Sequence, residues 1–352
     1  MSLDSYLRAA PKAELHVHLE GAIQPATLLA LARRNGVTLP ADTVDGLRRW
    51  FVYRDFAHFI EVFVAAVDCL RTREDYALIA HEFGAEMARQ NVRYAEVTFA
   101  PSRHAWQGVP YATWFGGLTQ GRLRAEAEFG VRIRWVFNIV RRLKDADALW
   151  PQADYVTGAA IDGMADGVIA LGLAGSEEGA PPEPFADLFT RARAAGLRSN
   201  PHAGEHAGPA SVRGALAALA AERIGHGVRA VEDGALVEQL AERQIALDVC
   251  PTSNVRLGVY PDLAAHPLRR LHAAGLALTI NSDDPALFNT TLNDEVALLA
   301  STFGFDAAPC DALLLNGVRH SFLPLADRAQ LEAAFRAELA ALKAVHLGAT
   351  AE

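Results

Sequence analysis

His202, His226 and Cys250 stand equally spaced along the chain, and each closes a short run that reads as a strand. Helical patterns fill the gaps between them, at residues 211–221 and 233–243. An even recurrence of strand and helix is the repeat of a βα unit, the connection that a parallel sheet requires. The alternation extends both ways, with strands expected at residues 13–18, 92–99, 131–137, 167–173, a run ending at His202, 223–226, 245–250 and 276–281. Eight such units close into a (β/α)8 TIM barrel. The expected class is therefore α/β, with all 352 residues in one barrel domain.

Two segments stand outside the repeat. Pro25 opens a helical pattern at residues 26–35 that Gly36 closes, and residues 41–90 read as helical almost throughout. Within that block Phe56, Phe59, Ile60, Phe63 and Val67 share one stripe. The block reads as an insertion lying over one barrel end. A helical tail that includes residues 328–347 follows the last strand.

Composition narrows the partners. The formal net charge is -9 and no dense Lys/Arg cluster occurs, which argues against nucleic acid. Three cysteines, Cys69, Cys250 and Cys310, lack CxxC spacing, so a reducing compartment is expected rather than a disulfide framework. No uncharged apolar run approaches the roughly 18 residues of a membrane span. Residues 1–8 lack a basic stretch leading into an apolar one. A cytoplasmic protein without membrane contact is expected, its oligomeric state open.

The polar residues gather where a barrel keeps its chemistry, at the C-terminal strand ends. His16 and His18 project from one face of the first strand, opposite Leu15 and Val17. His202 ends the fifth strand, His226 the sixth, and Asp283 follows the eighth. His16, His18, His202 and Asp283 together make a donor set of three imidazoles and one carboxylate, which suits zinc. Glu205 follows His202 across a glycine, where a proton donor fits. Taken singly, each residue has a plainer reading: Glu205 as a first-turn helix acid, His226 as a strand cap, Asp283-Asp284-Pro285 as a helix start, Gly175 as a turn glycine.

Five motifs in order, His16-Val-His18, Pro201-His-Ala-Gly-Glu205, Ile224-Gly-His-Gly227, Cys250-Pro-Thr-Ser-Asn254 and Ser282-Asp-Asp-Pro285, resemble the adenosine deaminase family. The resemblance runs from about residue 11 to residue 299. It implies one zinc ion per chain, held by His16, His18, His202 and Asp283, with Asp283 counted also among the catalytic groups and His18 beside the substrate. It further implies that Glu205 shuttles a proton to purine N1 and that His226 orients or deprotonates the attacking water. Asp284 would contact N7, and the backbone of Gly175 would contact N3. The implied reaction replaces a purine 6-amino group by oxygen and releases ammonia. Zinc suits it because a bound water's pKa falls to about 7, and general acid catalysis adds roughly 10²–10⁴ in rate. The zinc deaminases of flipped bases pair H-x-E with P-C-x-x-C, and Cys250-Pro-Thr-Ser lacks the second cysteine. No lysine occurs between Lys144 and Lys343, so the carboxylated lysine of related binuclear barrels is missing and one metal is expected.

The substrate is where the resemblance divides. The familiar adenosine enzymes carry Asp where this chain has Glu20, and that Asp holds the ribose 5′-hydroxyl. Glu at this place is similar to branches that take free adenine or nucleosides with a changed 5′ end. Tyr53-Arg-Asp-Phe-Ala-His-Phe-Ile60 and Leu173-Ala-Gly-Ser-Glu-Glu-Gly179 resemble members assigned to 6-aminodeoxyfutalosine, an adenine nucleoside with a benzoate-bearing 5′ extension from a menaquinone route. A benzoate wants an arginine, and Arg54, Arg103, Arg141 and Arg142 are the candidates. The reading is a zinc aminohydrolase acting on 6-aminodeoxyfutalosine, adenosine or both. Its alternatives are a free adenine deaminase, a barrel hydrolase of another bond, and a silent metal- or nucleoside-binding barrel. A pure binder needs neither Glu205 nor His226, and only Glu205 and Asp284 speak specifically for a purine.

Overall fold

The computed structural model describes residues 2–141 and 146–348. Its strands are β1 (Lys12–His18), β2 (Val92–Phe99), β3 (Arg132–Val140), β4 (Val168–Ala174), β5 (Arg198–Ser199), β6 (His202–Ala203), β7 (Arg223–His226), β8 (Ala246–Val249) and β9 (Leu278–Ile280). They pair in sequence order as two sheets, β1 to β5 and β6 to β9, and every pairing is parallel. Two joints close these sheets into a barrel. β5 pairs with β4 and β6 with β7, so the two short strands are halves of one stave split at Asn200-Pro201. Pro201 has no N–H to give a ladder, while its carbonyl accepts from Gly225 N at 2.9 Å. At the other joint Val17 bridges Asp283. There His18 N donates to Asp283 O at 2.7 Å and Asp283 N donates to His16 O at 3.1 Å. The result is the expected barrel of eight staves, with the fifth divided rather than continuous.

The insertion after β1 is three helices, Val44–Trp50, Phe56–Asp68 and Arg73–Arg89, and not one near-continuous run. Each break coincides with a side-chain N-cap, from Thr43, Asp55 and Thr72 in turn. Buried Asp75 ties the block to the preceding helix Pro25–Asn35, accepting from Arg34 Nη1 and Asn35 Nδ2 at 2.8 Å each. Periodicity does not reveal three short helices, Pro101–Trp106, Pro251–Arg256 and Pro285–Phe288. Each starts on a proline just past β2, β8 or β9, where a fixed φ and a missing N–H cost nothing. The tail is Leu292–Ser301, Ala307–Arg319 and Leu325–Leu347. Among the described residues no helix is long and apolar enough to cross a membrane.

One end of the barrel is sealed by charge. Arg223, at the start of β7, is buried between Glu96 Oε2 at 2.5 Å and Asp248 Oδ2 at 2.7 Å, with its guanidinium 4.2 Å over the Phe322 ring. A buried cation is tolerable when its partners are this close. The opposite, C-terminal end stays available for chemistry.

Candidate active site

At that end β1, β6, β7 and the turn after β9 bring four histidines and an aspartate together. The His16 ring centroid lies 4.5 Å from that of His202 and 4.7 Å from that of His226. His18 Nε2 stands 3.3 Å from His202 Nε2 and 3.3 Å from Asp283 Oδ1, and His16 Nε2 is 3.4 Å from the same oxygen. All of these side chains are buried, and His16 Nε2 and Asp283 Oδ1 have no hydrogen-bond partner. Orphaned polar atoms of this kind are costly unless something else satisfies them. A tetrahedral shell with bonds of about 2.0–2.1 Å separates its donor atoms by about 3.3–3.4 Å. The closely spaced set therefore fits a metal ion, and imidazole with carboxylate suits zinc.

His226 belongs to the same cluster, while His18 also groups with Asp283 and Asp284. Ligand atoms of His16, His202, His226 and Asp283 all lie within 4.8 Å of one another. Yet His226 Nε2 is 3.9 Å from Asp283 Oδ2, the other carboxylate oxygen, and 3.7 Å from Glu205 Oε2. It stands beside the tight set, within reach of a group held there. His226 and Asp283 both adopt left-handed backbone, at φ 61 and 62. For non-glycine residues that conformation costs energy and collects at functional sites.

A layer of polar side chains holds these groups. Ser253 Oγ donates to Asp283 Oδ2 at 2.6 Å, and Asn254 Nδ2 meets His226 Nδ1 at 3.2 Å. Buried Glu177 accepts from the backbone N–H of Gly204, Glu205 and Ala207 at 3.1, 3.1 and 2.9 Å, which anchors the loop carrying Glu205. Arg141, fully buried, donates to the carbonyl of His202. Ser253, Asn254, Glu177 and Arg141 were not singled out for this supporting work by sequence reasoning. Two lie inside Cys250-Pro-Thr-Ser-Asn254 and one inside Leu173-Ala-Gly-Ser-Glu-Glu-Gly179, so the signal was motif membership.

The electrostatics divide the carboxyls. Burial pushes Asp283 up, but His16, His18 and His226 outweigh it and hold the group well below the usual range. Burial and the neighbouring Asp283 push Asp284 well above it, and a carboxyl kept neutral is a hydrogen-bond donor. Glu205 is buried, which raises it, yet His226 and His206 bring it below its ordinary value. That shift favours the ionised form. Burial lowers His18 while Asp284, Asp283 and Glu20 raise it, to about 9. His202 is pushed well down by burial and by His16, His226 and His18.

A cavity of about 310 Å³ opens above the cluster. His18, His202, Glu205, His226, Asp283 and Asp284 line it, as do Gly175 and Arg141. The stripe of Phe56, Phe59, Ile60, Phe63 and Val67 faces the same space, so the insertion roofs the site. Gly175 sits at φ +90, and a Cβ there would meet the Arg141 carbonyl oxygen at 2.9 Å, so its glycine identity has a conformational cause. A Cβ at Gly21 would fall 1.8 Å from Asp284 Oδ1, so that glycine makes room for the carboxyl.

Of the residues expected at the substrate, Glu20 is fully buried and does not line the cavity. The short turn Glu20–Ala22 directs its Oε1 to Ala100 N at 2.9 Å, 3.8 Å from His104 Nε2. Of the arginine candidates, Arg103 and Arg141 line the cavity and Arg54 does not. Arg103 is paired with Asp68 at 2.7 Å, and Arg142 lies outside the described residues. Cys69, Cys250 and Cys310 are buried and free.

A parallel barrel with a buried imidazole–carboxylate cluster at its C-terminal end is the architecture of a barrel hydrolase. A family model described as Adenosine deaminase matches residues 11–336. The aminodeoxyfutalosine deaminase of Streptomyces avermitilis is 41% identical over 334 residues, covering 94% of this chain and 92% of that protein. An adenine deaminase of Cupriavidus taiwanensis is 40% identical over 330 residues, with the same coverage of 94% and 92%. Among solved structures, an adenine deaminase from Arthrobacter aurescens superposes with a TM-score of 0.88 at 35% identity, covering 94% of this chain and 99% of the other. A zinc-bound amidohydrolase from Burkholderia ambifaria also gives 0.88, at 31% identity over 98% and 95% of the two chains. The chain belongs to the adenosine deaminase family. It is a hydrolytic deaminase of a metal-dependent family.

Proposed function

We propose that the chain is a cytoplasmic, single-domain zinc aminohydrolase that deaminates the 6-amino group of an adenine nucleoside, 6-aminodeoxyfutalosine or adenosine. His16, His18, His202 and Asp283 would hold one zinc ion per chain. Zinc, when bound, supplies a water-derived nucleophile at neutral pH. Glu205, ionised at rest, takes the proton that the attacking water gives up and delivers it to purine N1. His226 orients that water. Asp284 donates to N7, and the Gly175 backbone, freed of a Cβ, approaches N3. Phe56, Phe59 and Phe63 give the site an apolar roof, beneath which polar contacts are stronger than in water.

The observation that carries the nucleoside reading is the reach of the cavity. Its 310 Å³ lies within the range that encloses whole small-molecule ligands, and it extends from the histidine cluster to Ile60, Arg103 and Trp106. Trp106 and Ile60 are part-exposed at 50% and 38%, which places them at the mouth. An apolar, aromatic outer chamber suits an aromatic group on the 5′ side, and Arg103 beside it would have to share its guanidinium between Asp68 and a substrate carboxylate. A second reading, deamination of free adenine, is favoured by Glu20, which does not line the cavity and whose Oε1 accepts from Ala100 N, while its Oε2 has no hydrogen-bond partner. The deciding experiment offers zinc-loaded protein 6-aminodeoxyfutalosine, adenosine, deoxyadenosine and adenine, and records ammonia. The proposal expects turnover of a nucleoside above adenine. Turnover of adenine alone establishes the second reading, and no ammonia from any purine leaves a silent binder.

A further inference from the structure

We infer that Asn254 and His266 are positioning residues that fix the tautomer of His226, so that His226 turns an N–H, and not a lone pair, toward the reacting centre. The inference rests on the deaminase reading above. It starts from a group whose role is beyond choice: the backbone N–H of Leu268 donates to His266 Nδ1 at 3.3 Å. A backbone amide cannot accept through its nitrogen, so His266 Nδ1 is bare and a neutral ring carries its proton on Nε2. The ring is neutral: burial, helped by His226, pushes its pKa down to about 4. His266 Nε2 lies 3.1 Å from Asn254 Oδ1, and the amide oxygen must be the acceptor. That orients the whole amide and turns Nδ2 toward His226 Nδ1 at 3.2 Å. The reversed amide would set two donors face to face at His266. Asn254 is fully buried, so water has no access to break the relay.

With Nδ1 taken as an acceptor, neutral His226 carries its proton on Nε2. That nitrogen is the one 3.7 Å from Glu205 Oε2 and 3.9 Å from Asp283 Oδ2. A ring nitrogen already bearing hydrogen cannot take a proton from water. His226 therefore acts by donating to the attacking oxygen, and removing the proton falls to Glu205. The family resemblance left orientation and deprotonation both open for His226; the relay from Leu268 to Asn254 selects orientation.

The test uses zinc-loaded, full-length protein with 15N-labelled histidine. Long-range 1H–15N correlation is expected to show a protonated Nε2 and a bare Nδ1 for both His226 and His266. Asn254→Asp presents only acceptors, so it should move the His226 proton to Nδ1. Its kcat should fall by ~10²-fold or more, because a wrong tautomer disables the group, while KM stays within about threefold and zinc content is unchanged. His266→Gln still offers an N–H to Asn254 Oδ1 and should keep kcat within about tenfold, where His266→Phe should lose as much as Asn254→Asp. A wild-type spectrum with the His226 proton on Nδ1 overturns the inference, as does Asn254→Asp with tautomer and kcat unchanged. Should Asn254→Asp not fold, the wild-type spectrum and the His266 pair decide. Failure of the wild type to release ammonia from any purine strikes the deaminase reading instead, and the spectrum still reads the tautomer.

Discussion

Ser253 donates its hydroxyl to Asp283 Oδ2 at 2.6 Å, which turns Oδ1 toward His16 and His18 at 3.4 and 3.3 Å. The serine thus decides which carboxylate oxygen joins the tight donor set. Partners of this kind orient a ligand and tune its basicity, and their loss typically costs about 10–100-fold in metal affinity. Ser253→Ala should weaken zinc binding by that factor in chelator competition while the protein stays folded. Unchanged affinity would show that the backbone at φ 62 holds Asp283 without help.

Glu177 acts on Glu205, the proposed proton shuttle, through the main chain. Its carboxylate collects three N–H groups from the loop that carries Glu205. Glu177→Gln keeps the volume but turns an NH2 toward one of those donors, so the loop must move. Misplacing a catalytic group by about 1 Å can cost ~10²-fold. Turnover should fall by about 10–10²-fold with zinc content retained, and steady-state kinetics beside metal analysis checks both.

Trp106 at the cavity mouth separates the two substrate readings. Trp106→Ala should raise KM for 6-aminodeoxyfutalosine by about tenfold or more, since a large aromatic contact is worth about 1.4 kcal/mol or above. Deamination of free adenine should stay unchanged if that base sits wholly at the histidine cluster. Equal effects on both substrates would move Trp106 from substrate contact to general structure.

Glu295 gives the stability a pH dependence. It is buried, with Oε2 accepting from Thr252 N at 3.0 Å and Oε1 from the Thr290 hydroxyl at 2.5 Å. Burial raises its pKa from an ordinary 4.5 to about 7, against the lowering pull of those two partners. The folded state then binds more protons than the unfolded state between these values. Its contribution is full below about pH 4.5 and is lost as pH rises through about 7, on the order of 3 kcal/mol. Chemical denaturation of Glu295→Gln beside the wild type should show this decline in the wild type only. Parallel curves would mean the carboxyl is ionised throughout.

How much of this the sequence displays depends on whether a feature is periodic or relational. The eight staves are legible because each strand and helix repeats a local pattern. The split at Asn200-Pro201 is not, because Pro201 interrupts a ladder only once β4 and β7 take different halves of the stave. His16 and His18 are legible because alternation along β1 sends both to one face. His266 is invisible by the same logic: its meaning arises from Asn254 and Leu268, which only the fold sets against it. Glu20 is set beside the substrate by resemblance alone, and only the fold shows the turn at Glu20–Ala22 directing its Oε1 to Ala100 N.

The central claim is that Glu205 moves the proton beside a zinc held by His16, His18, His202 and Asp283. Glu205→Gln keeps size and burial but can neither take nor give that proton. Zinc content and ammonia release, measured on this variant and the wild type with the preferred purine nucleoside, test it most directly. The account predicts one zinc per chain in both proteins and turnover lower by roughly 10²–10⁴-fold in the variant. A zinc-loaded variant that releases ammonia at the wild-type rate would contradict it.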